Sequence, residues 1–180
     1  MINKRFNQLQ TILSITLFLI VFFICYHTTN FDLAKIPLSY FGAYNEYKFF
    51  WNLILMVLSY SIFINVRNFI YHSQFRHKRE LKLVFFLLSC CLFLVGLIPM
   101  PNLIHSLAAY IYFFGYPLAI FLMIQDNRSH LNKLDWGLYT VIAVAMMLLP
   151  LIFLEMFTGK AYAEISNVII MIIFNLLILD

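Results

Sequence analysis

Charged side chains are scarce in this sequence. Lys and Arg together number 12 and Asp and Glu together number 8 among 180 residues, whereas 63% of the residues are hydrophobic. A soluble domain of this size cannot bury so much apolar surface, so the composition excludes one. The chain is therefore predicted to be an integral membrane protein.

Cysteine is also rare, and its placement excludes two kinds of site. Cys25, Cys90 and Cys91 all lie in apolar runs, and no CxxC or Cys/His spacing accompanies them. A free cysteine in such a run behaves as a small hydrophobic residue, so neither a disulfide framework nor a zinc site is predicted. The first apolar run also lacks a small-x-small cleavage site after it, and we interpret it as a retained helix.

Signals of catalysis are missing as well. The sequence contains no nucleophile elbow, no HExxH and no DxxD pair, and no acidic residue lies deep inside an apolar run. Two histidines fall near each predicted membrane face, but at helix ends, where a b-type haem is poorly placed: His27 and His105, and His72 and His130. No catalytic residue, metal or cofactor is therefore predicted, and enzymatic activity is the least favoured function.

Six apolar runs of 17–23 residues are present, and each is long enough to cross roughly 30 Å of hydrocarbon as a helix. Together they predict an all-α membrane protein, with six transmembrane helices in a single bundle and one domain over residues 1–180. The runs are residues 11–27, 49–71, 82–99, 102–124, 135–156 and 163–179.

The distribution of cations predicts the orientation. Nine Lys and Arg residues fall on the side of both termini and three on the other side, so the positive-inside rule places both termini in the cytoplasm of a multi-pass cell-membrane protein. The residues Arg76, Lys78, Arg79 and Lys82 form a basic patch on the cytoplasmic side. This patch is either a topology anchor or a site for anionic headgroups or a partner, and nucleic-acid binding is not predicted.

Polar and small residues within the runs predict contacts between helices. Asn65 and Asn175 are expected to form interhelical hydrogen bonds, because an unpaired amide is costly in hydrocarbon. Gly115 is expected to allow close approach of a neighbouring helix, and Pro117 and Pro150 are expected to bend theirs.

The stretch LFLVGLIPMPNLIHSLAAY, residues 92–110, predicts a tight external hairpin. Pro99 is expected to end one helix and Pro101 to occupy the first turn of the next. Asn102 caps that helix only if the helix starts slightly later. His105 then lies about one turn inside the helix, near the membrane boundary.

Two segments carry a resemblance to a known family. The segment VGLIPMPNLIHSLAAYIYFFG (95–115) is similar to the Gly-x-x-Pro…His…Ala pattern of the bacterial DUF998 proteins, and IPLSYFGAYNEYKFFWNLILM (36–56) resembles their Pro-x-Ser-x-x-Gly segment. Those proteins look related to the Frag1/DRAM/Sfk1 group of six-helix membrane proteins. The resemblance implies the fold and a bacterial inner membrane, and some relatives affect lipid distribution or signalling. The matching positions are Pro37, Ser39, Gly42, Asn52, Gly96, Pro99 and His105.

Five polar residues on the predicted outer side form the candidate ligand site: Ser39, Asn52, His105, Glu155 and Glu164. We expect His105 and Asn52, at similar depth, to share a pocket that the 36–46 segment covers. The alternative is that each side chain faces interfacial water.

Two functions stay open at this point. The first is the binding or handling of a lipid or small amphiphile through the outward pocket. The second is a structural or accessory role, in which the bundle packs against a larger membrane protein complex. Copurification separates them, since the first predicts an ordered lipid and the second a stoichiometric protein partner.

The cation distribution yields a topology prediction. Cysteines introduced at residues 73–80 should react only with membrane-permeant reagents, and those at residues 40–46 should also react with impermeant ones in intact cells. External labelling of residues 73–80 would reverse the orientation.

Overall fold

A computed structural model describes residues 4–28, 32, 36–44, 46–156 and 161–178, and every regular element among them is an α-helix. The helices are α1 (Lys4–Thr28), α2 (Tyr40–Tyr44), α3 (Lys48–His72), α4 (Lys78–Leu97), α5 (Leu103–Asp126), α6 (Lys133–Met156) and α7 (Ala161–Leu177). Five of them, α1 and α3 to α6, are long and apolar enough to cross a membrane, and α7 is apolar but has only 17 residues. The chain is thus an all-α, multi-pass membrane protein.

The helices extend beyond several of the predicted apolar runs. The first begins at Lys4 instead of residue 11, and the helix predicted from residue 82 begins at Lys78. Hydropathy detects only the lipid-immersed part of a helix, whereas polar end residues continue the helical backbone into the interface. The five-residue α2 was not predicted. Within the predicted connections, residues 29–31, 33–35, 45 and 157–160 lie outside the described residues.

The proline-rich stretch separates α4 from α5. Helix α4 ends at Leu97, and the N–H of Ile98 still bonds to the carbonyl of Leu94 at 2.9 Å. Helix α5 starts at Leu103, where Oδ1 of Asn102 accepts a hydrogen bond from the N–H of Ile104 at 2.8 Å. Pro101 therefore precedes the helix, and its expected place in the first turn is wrong. The side chain of Asn102 satisfies a backbone N–H of the first turn, which a proline cannot do.

Helix α3 occupies the centre of the packing. It contacts α1, α2, α4 and α7, while α5 lies between α4 and α6, and α6 packs on α7. Helices α3 to α7 thus close into a ring, with α1 attached to α3. The buried positions of α7 include Asn167, Ile170, Met171, Phe174 and Asn175, a spacing of three and four residues that turns one face of this helix inward.

A polar cluster joins α3, α5 and α7 inside the bundle. The amide of Asn65 donates to the carbonyl oxygen of Asn175 at 2.8 Å and to its Oδ1 at 3.2 Å. Nδ2 of Asn175 donates in turn to the hydroxyl of Tyr116 at 2.8 Å. The interhelical hydrogen bonds expected of Asn65 and Asn175 are confirmed.

Two glycines allow α4 to pack closely against its neighbours. A Cβ at Gly115 of α5 would lie 2.7 Å from Cδ2 of Leu88, so the close approach expected there is present. A Cβ at Gly96 of α4 would lie 2.8 Å from the carbonyl oxygen of Asn52 and 3.1 Å from Cβ of Leu55. The contact at Gly96 is the more restrictive, because backbone cannot move aside as a flexible side chain can.

The replacement Gly96→Ala should therefore destabilise the bundle by about 1–3 kcal/mol, the usual cost of overpacking. Thermal unfolding in mild detergent measures the effect. Gly137→Ala is the matched control, since a Cβ at that helical glycine meets nothing within 4 Å. Equal melting temperatures for the two variants would contradict the packing of α3 against α4 described here.

Candidate functional site

A small cavity lies beneath the 36–44 segment, enclosed by α1, α3, α4, α5 and α7. Its volume of about 60 Å³ exceeds several-fold the roughly 10–15 Å³ that one ordered water requires. Most of the lining side chains are apolar, including Phe18 and Val168. Five carry polar groups: Ser39, Trp51, His105, Tyr112 and Glu164. Three of the five residues of the predicted ligand site thus meet around one cavity.

His105 is held by the end of the preceding helix. The residue is only 4% exposed, and its Nδ1 lies 2.7 Å from the carbonyl oxygen of Ile98. Prolines follow Ile98 closely, and the break in the helix leaves that carbonyl without a helical donor. A carbonyl can only accept, so Nδ1 carries the proton, and Nε2 is an acceptor whenever the ring is in its neutral form. Nε2 makes no hydrogen bond within the described part of the chain.

Glu164 and Ser39 attach the 36–44 segment to the bundle. Oε2 of Glu164, in the first turn of α7, accepts a hydrogen bond from the N–H of Leu38 at 2.6 Å. The hydroxyl of Ser39 donates to the sulfur of Met100 at 2.6 Å. A carboxylate in the first turn also interacts favourably with the helix dipole. The segment therefore covers the cavity while bonded to α7 and to the α4–α5 connection.

Asn52 does not share the pocket of His105, and the expectation that it does is wrong. Its Nδ2 donates to the carbonyl of Gly42 at 3.1 Å, and a Cβ at Gly42 would collide with its side chain. The neighbouring Trp51 lines the cavity instead. Successive helical residues point about 100° apart, so two residues at one depth need not face the same space. Asn52 supports the covering segment from outside the cavity.

Glu155 lies apart from the other candidates. It is an exposed residue near the end of α6 and does not line the cavity beneath the 36–44 segment. The structure therefore leaves Glu155 outside the site.

The basic patch lies at the opposite end of the bundle, beside a polar cleft of about 700 Å³. Arg76 and Lys78 line this cleft, whereas Arg79 and Lys82 do not. Tyr71 engages two of the patch cations, because its carbonyl accepts a hydrogen bond from Lys78 at 3.2 Å and its ring centroid lies 5.3 Å from Nζ of Lys82.

Sequence reasoning missed a hydrogen-bonded histidine–carboxylate pair in this cleft. The ring Nδ1 of His77 lies 2.6 Å from Oδ1 of Asp126, and the N–H of His77 donates to Oδ2 at 3.0 Å. This pair connects the start of α4 with the end of α5. The described residues contain no group of three or more side chains that could hold a metal ion.

Sequence reasoning also missed Asn167. This buried residue of α7 donates from Nδ2 to the carbonyl of Phe113 at 3.3 Å. Pro117 lies four residues after Phe113 and has no N–H, so it removes the helical partner of that carbonyl. A signal was present in the sequence, since Asn167 precedes Asn175 by two helical turns and lies on the same face.

Comparison of the chain with protein-family models, with curated proteins and with solved structures finds no match.

The contact with Ile98 predicts the tautomer of His105. In a chain labelled with ¹⁵N-histidine and reconstituted in lipid, the neutral ring of His105 should be protonated at Nδ1 and bare at Nε2. Comparison with His105→Gln assigns the signal among the five histidines. A proton on Nε2 alone would show that the ring does not donate to Ile98.

Proposed function

We propose that this chain binds the polar head of a lipid or small amphiphile in the cavity beneath the 36–44 segment. One observation carries the proposal. Ser39, His105 and Glu164 come from three distant parts of the chain and line the same largely apolar cavity. Ser39 and Glu164 already bond to Met100 and Leu38, but a hydroxyl oxygen and a carboxylate can each accept more than one hydrogen bond. A ligand head that donates hydrogen bonds can therefore add to these contacts.

The chemistry of the three side chains indicates the kind of head group. Nε2 of neutral His105 accepts hydrogen bonds, and so do the carboxylate of Glu164 and the oxygen of Ser39. A head group with hydroxyl or ammonium hydrogens complements this set. The apolar lining, which includes Trp51 and Phe113, suits the carbon atoms next to such a head.

The proposal includes an orientation. We infer that α7 crosses the membrane as a sixth span, that both termini are cytoplasmic, and that the cavity lies near the outer face of a bacterial inner membrane. The 9-to-3 distribution of cations supports this orientation. The relationship to the DUF998 proteins stays a prediction from the two sequence segments.

Lipid recovery tests the proposal. The full chain and its variants are purified from one host in mild detergent, and copurified lipids are quantified by mass spectrometry. Glu164→Gln keeps the side-chain shape but removes the charge, so retained amphiphile should fall about tenfold, the effect of weakening one hydrogen bond to a charged group. His105→Gln should act in the same direction.

Glu155→Gln is the matched control, since it makes the same chemical change at an exposed glutamate of α6 outside the cavity. Its lipid content should equal that of the unchanged chain. Equal lipid recovery from all four proteins would overturn the proposal.

The exposure of α6 favours a second candidate function, that of an accessory subunit. Only Ile142, Ala143 and Met146 are buried among the 24 residues of this helix. A larger membrane protein could pack on the remaining face, where lipid would otherwise lie. A stoichiometric protein in the same preparations, lost on replacing exposed α6 residues such as Val141, would favour this function.

A further inference from the structure

A second cavity lies between α5, α6 and α7. Its lining includes Tyr110 and Phe114 of α5, Met146 and Leu154 of α6, and Ala163 and Asn167 of α7. The volume is about 90 Å³, again several times the roughly 10–15 Å³ that one water requires. Phe113 and Glu164 line both this cavity and the one that contains His105.

The cavity leads from the exposed side of the helices, which would face lipid, to the interior of the bundle. At one end, Tyr110 is 50% and Phe114 51% exposed, and both belong to a helix long and apolar enough to cross the membrane. At the other end, Asn167 and Met146 are each only 1% exposed. A molecule dissolved in the bilayer can therefore enter between α5 and α6 and reach Asn167.

Asn167 presents an acceptor without a partner at the inner end. Its Nδ2 donates to the carbonyl of Phe113, and this bond fixes the orientation of the amide because a carbonyl cannot donate. Oδ1 is buried and makes no hydrogen bond among the described residues. Buried acceptors in this position are costly unless a donor reaches them.

The groups around Oδ1 of Asn167 indicate which kind of ligand head can donate a hydrogen bond to it. Met146 lies in the lining, and Pro150 removes the N–H that would otherwise bond to the Met146 carbonyl within α6. Glu164 contributes a carboxylate to the same lining. A carboxylate or phosphate head would bring further acceptors towards these groups, whereas a hydroxyl or ammonium head would bring hydrogen-bond donors.

We propose that this second cavity binds a single-chain amphiphile that enters from the bilayer between α5 and α6, with a hydroxyl or ammonium head donating a hydrogen bond to Oδ1 of Asn167. The apolar chain lies against Phe114 and Leu154, near the mouth. This site does not depend on ligand binding beside His105.

Photolabelling in lipid tests the site. The full chain is placed in phosphatidylcholine nanodiscs with three ten-carbon probes that carry a diazirine at the same mid-chain carbon and end in an alcohol, an amine or a carboxylate. Adducts on residues 110–114 and 146–154 are counted relative to those on Leu83 and Leu87, exposed residues of α4. The alcohol and amine should exceed the carboxylate about tenfold, as expected for one satisfied buried acceptor.

Two variants separate the proposed acceptor, Oδ1 of Asn167, from the structural hydrogen bond that Nδ2 of the same residue donates to Phe113. Pro117→Ala restores a helical donor to the Phe113 carbonyl, so Asn167→Leu in that background removes Oδ1 without leaving the carbonyl unpaired. The single variant Pro117→Ala should keep the preference for donor heads, and the double variant should lose it. Ala163→Leu, which fills the cavity, should reduce labelling by all three probes.

This labelling experiment and the lipid-recovery experiment respond to different variants. His105→Gln should leave this labelling unchanged, so failure of either proposal does not imply failure of the other. Greater labelling by the amine than by the alcohol would show that the charge of Glu164 contributes to binding. Equal labelling would show that the head group binds through its hydrogen bond alone. Carboxylate adducts as abundant as alcohol adducts would overturn the proposal. A preference for the alcohol and amine probes that survives in the double variant would also overturn it, and Oδ1 of Asn167 would then be assigned to bonding with water.

Discussion

The hydrogen bonds from Asn65 to Asn175 and from Asn175 to Tyr116 fix the arrangement on which both cavities depend. Single interhelical hydrogen bonds in membrane proteins contribute only about 0.6 kcal/mol, so stability is not their main effect. Their geometry matters more, because a polar side chain in an apolar helix has few acceptable rotations about the helix axis. Asn175 therefore sets both the rotation and the depth of α7.

The consequences follow along one face of α7. Met171, Asn167 and Glu164 precede Asn175 by steps of three or four residues, so they turn towards the same side. With Asn175 fixed against α3 and α5, Asn167 reaches the carbonyl that Pro117 leaves unpaired, and Glu164 reaches the N–H of Leu38. A single buried amide thus positions the polar residues that α7 contributes to the two cavities.

Sequence reasoning succeeded where lipid imposes a simple rule. Apolar length located the helices, the Pro99 break separated α4 from α5, and the cost of buried amides predicted the pairing of Asn65 and Asn175. It failed where the outcome depends on rotation about a helix axis. Hydropathy places Asn52 and His105 at similar depths, but only the packing of α3 decides that Trp51 faces the cavity and Asn52 faces Gly42. The five-residue α2 carries no periodic signal long enough to detect.

Phe113 connects the two proposed sites physically. Its side chain lies in the lining of both cavities, and its carbonyl is held by Asn167. The proposed ligand of the second cavity would donate to Oδ1 of the same Asn167 amide whose Nδ2 donates to this carbonyl. Glu164 forms part of both linings too, and it is bonded to the segment that covers the His105 cavity. The two cavities therefore share two lining residues, one aromatic and one acidic.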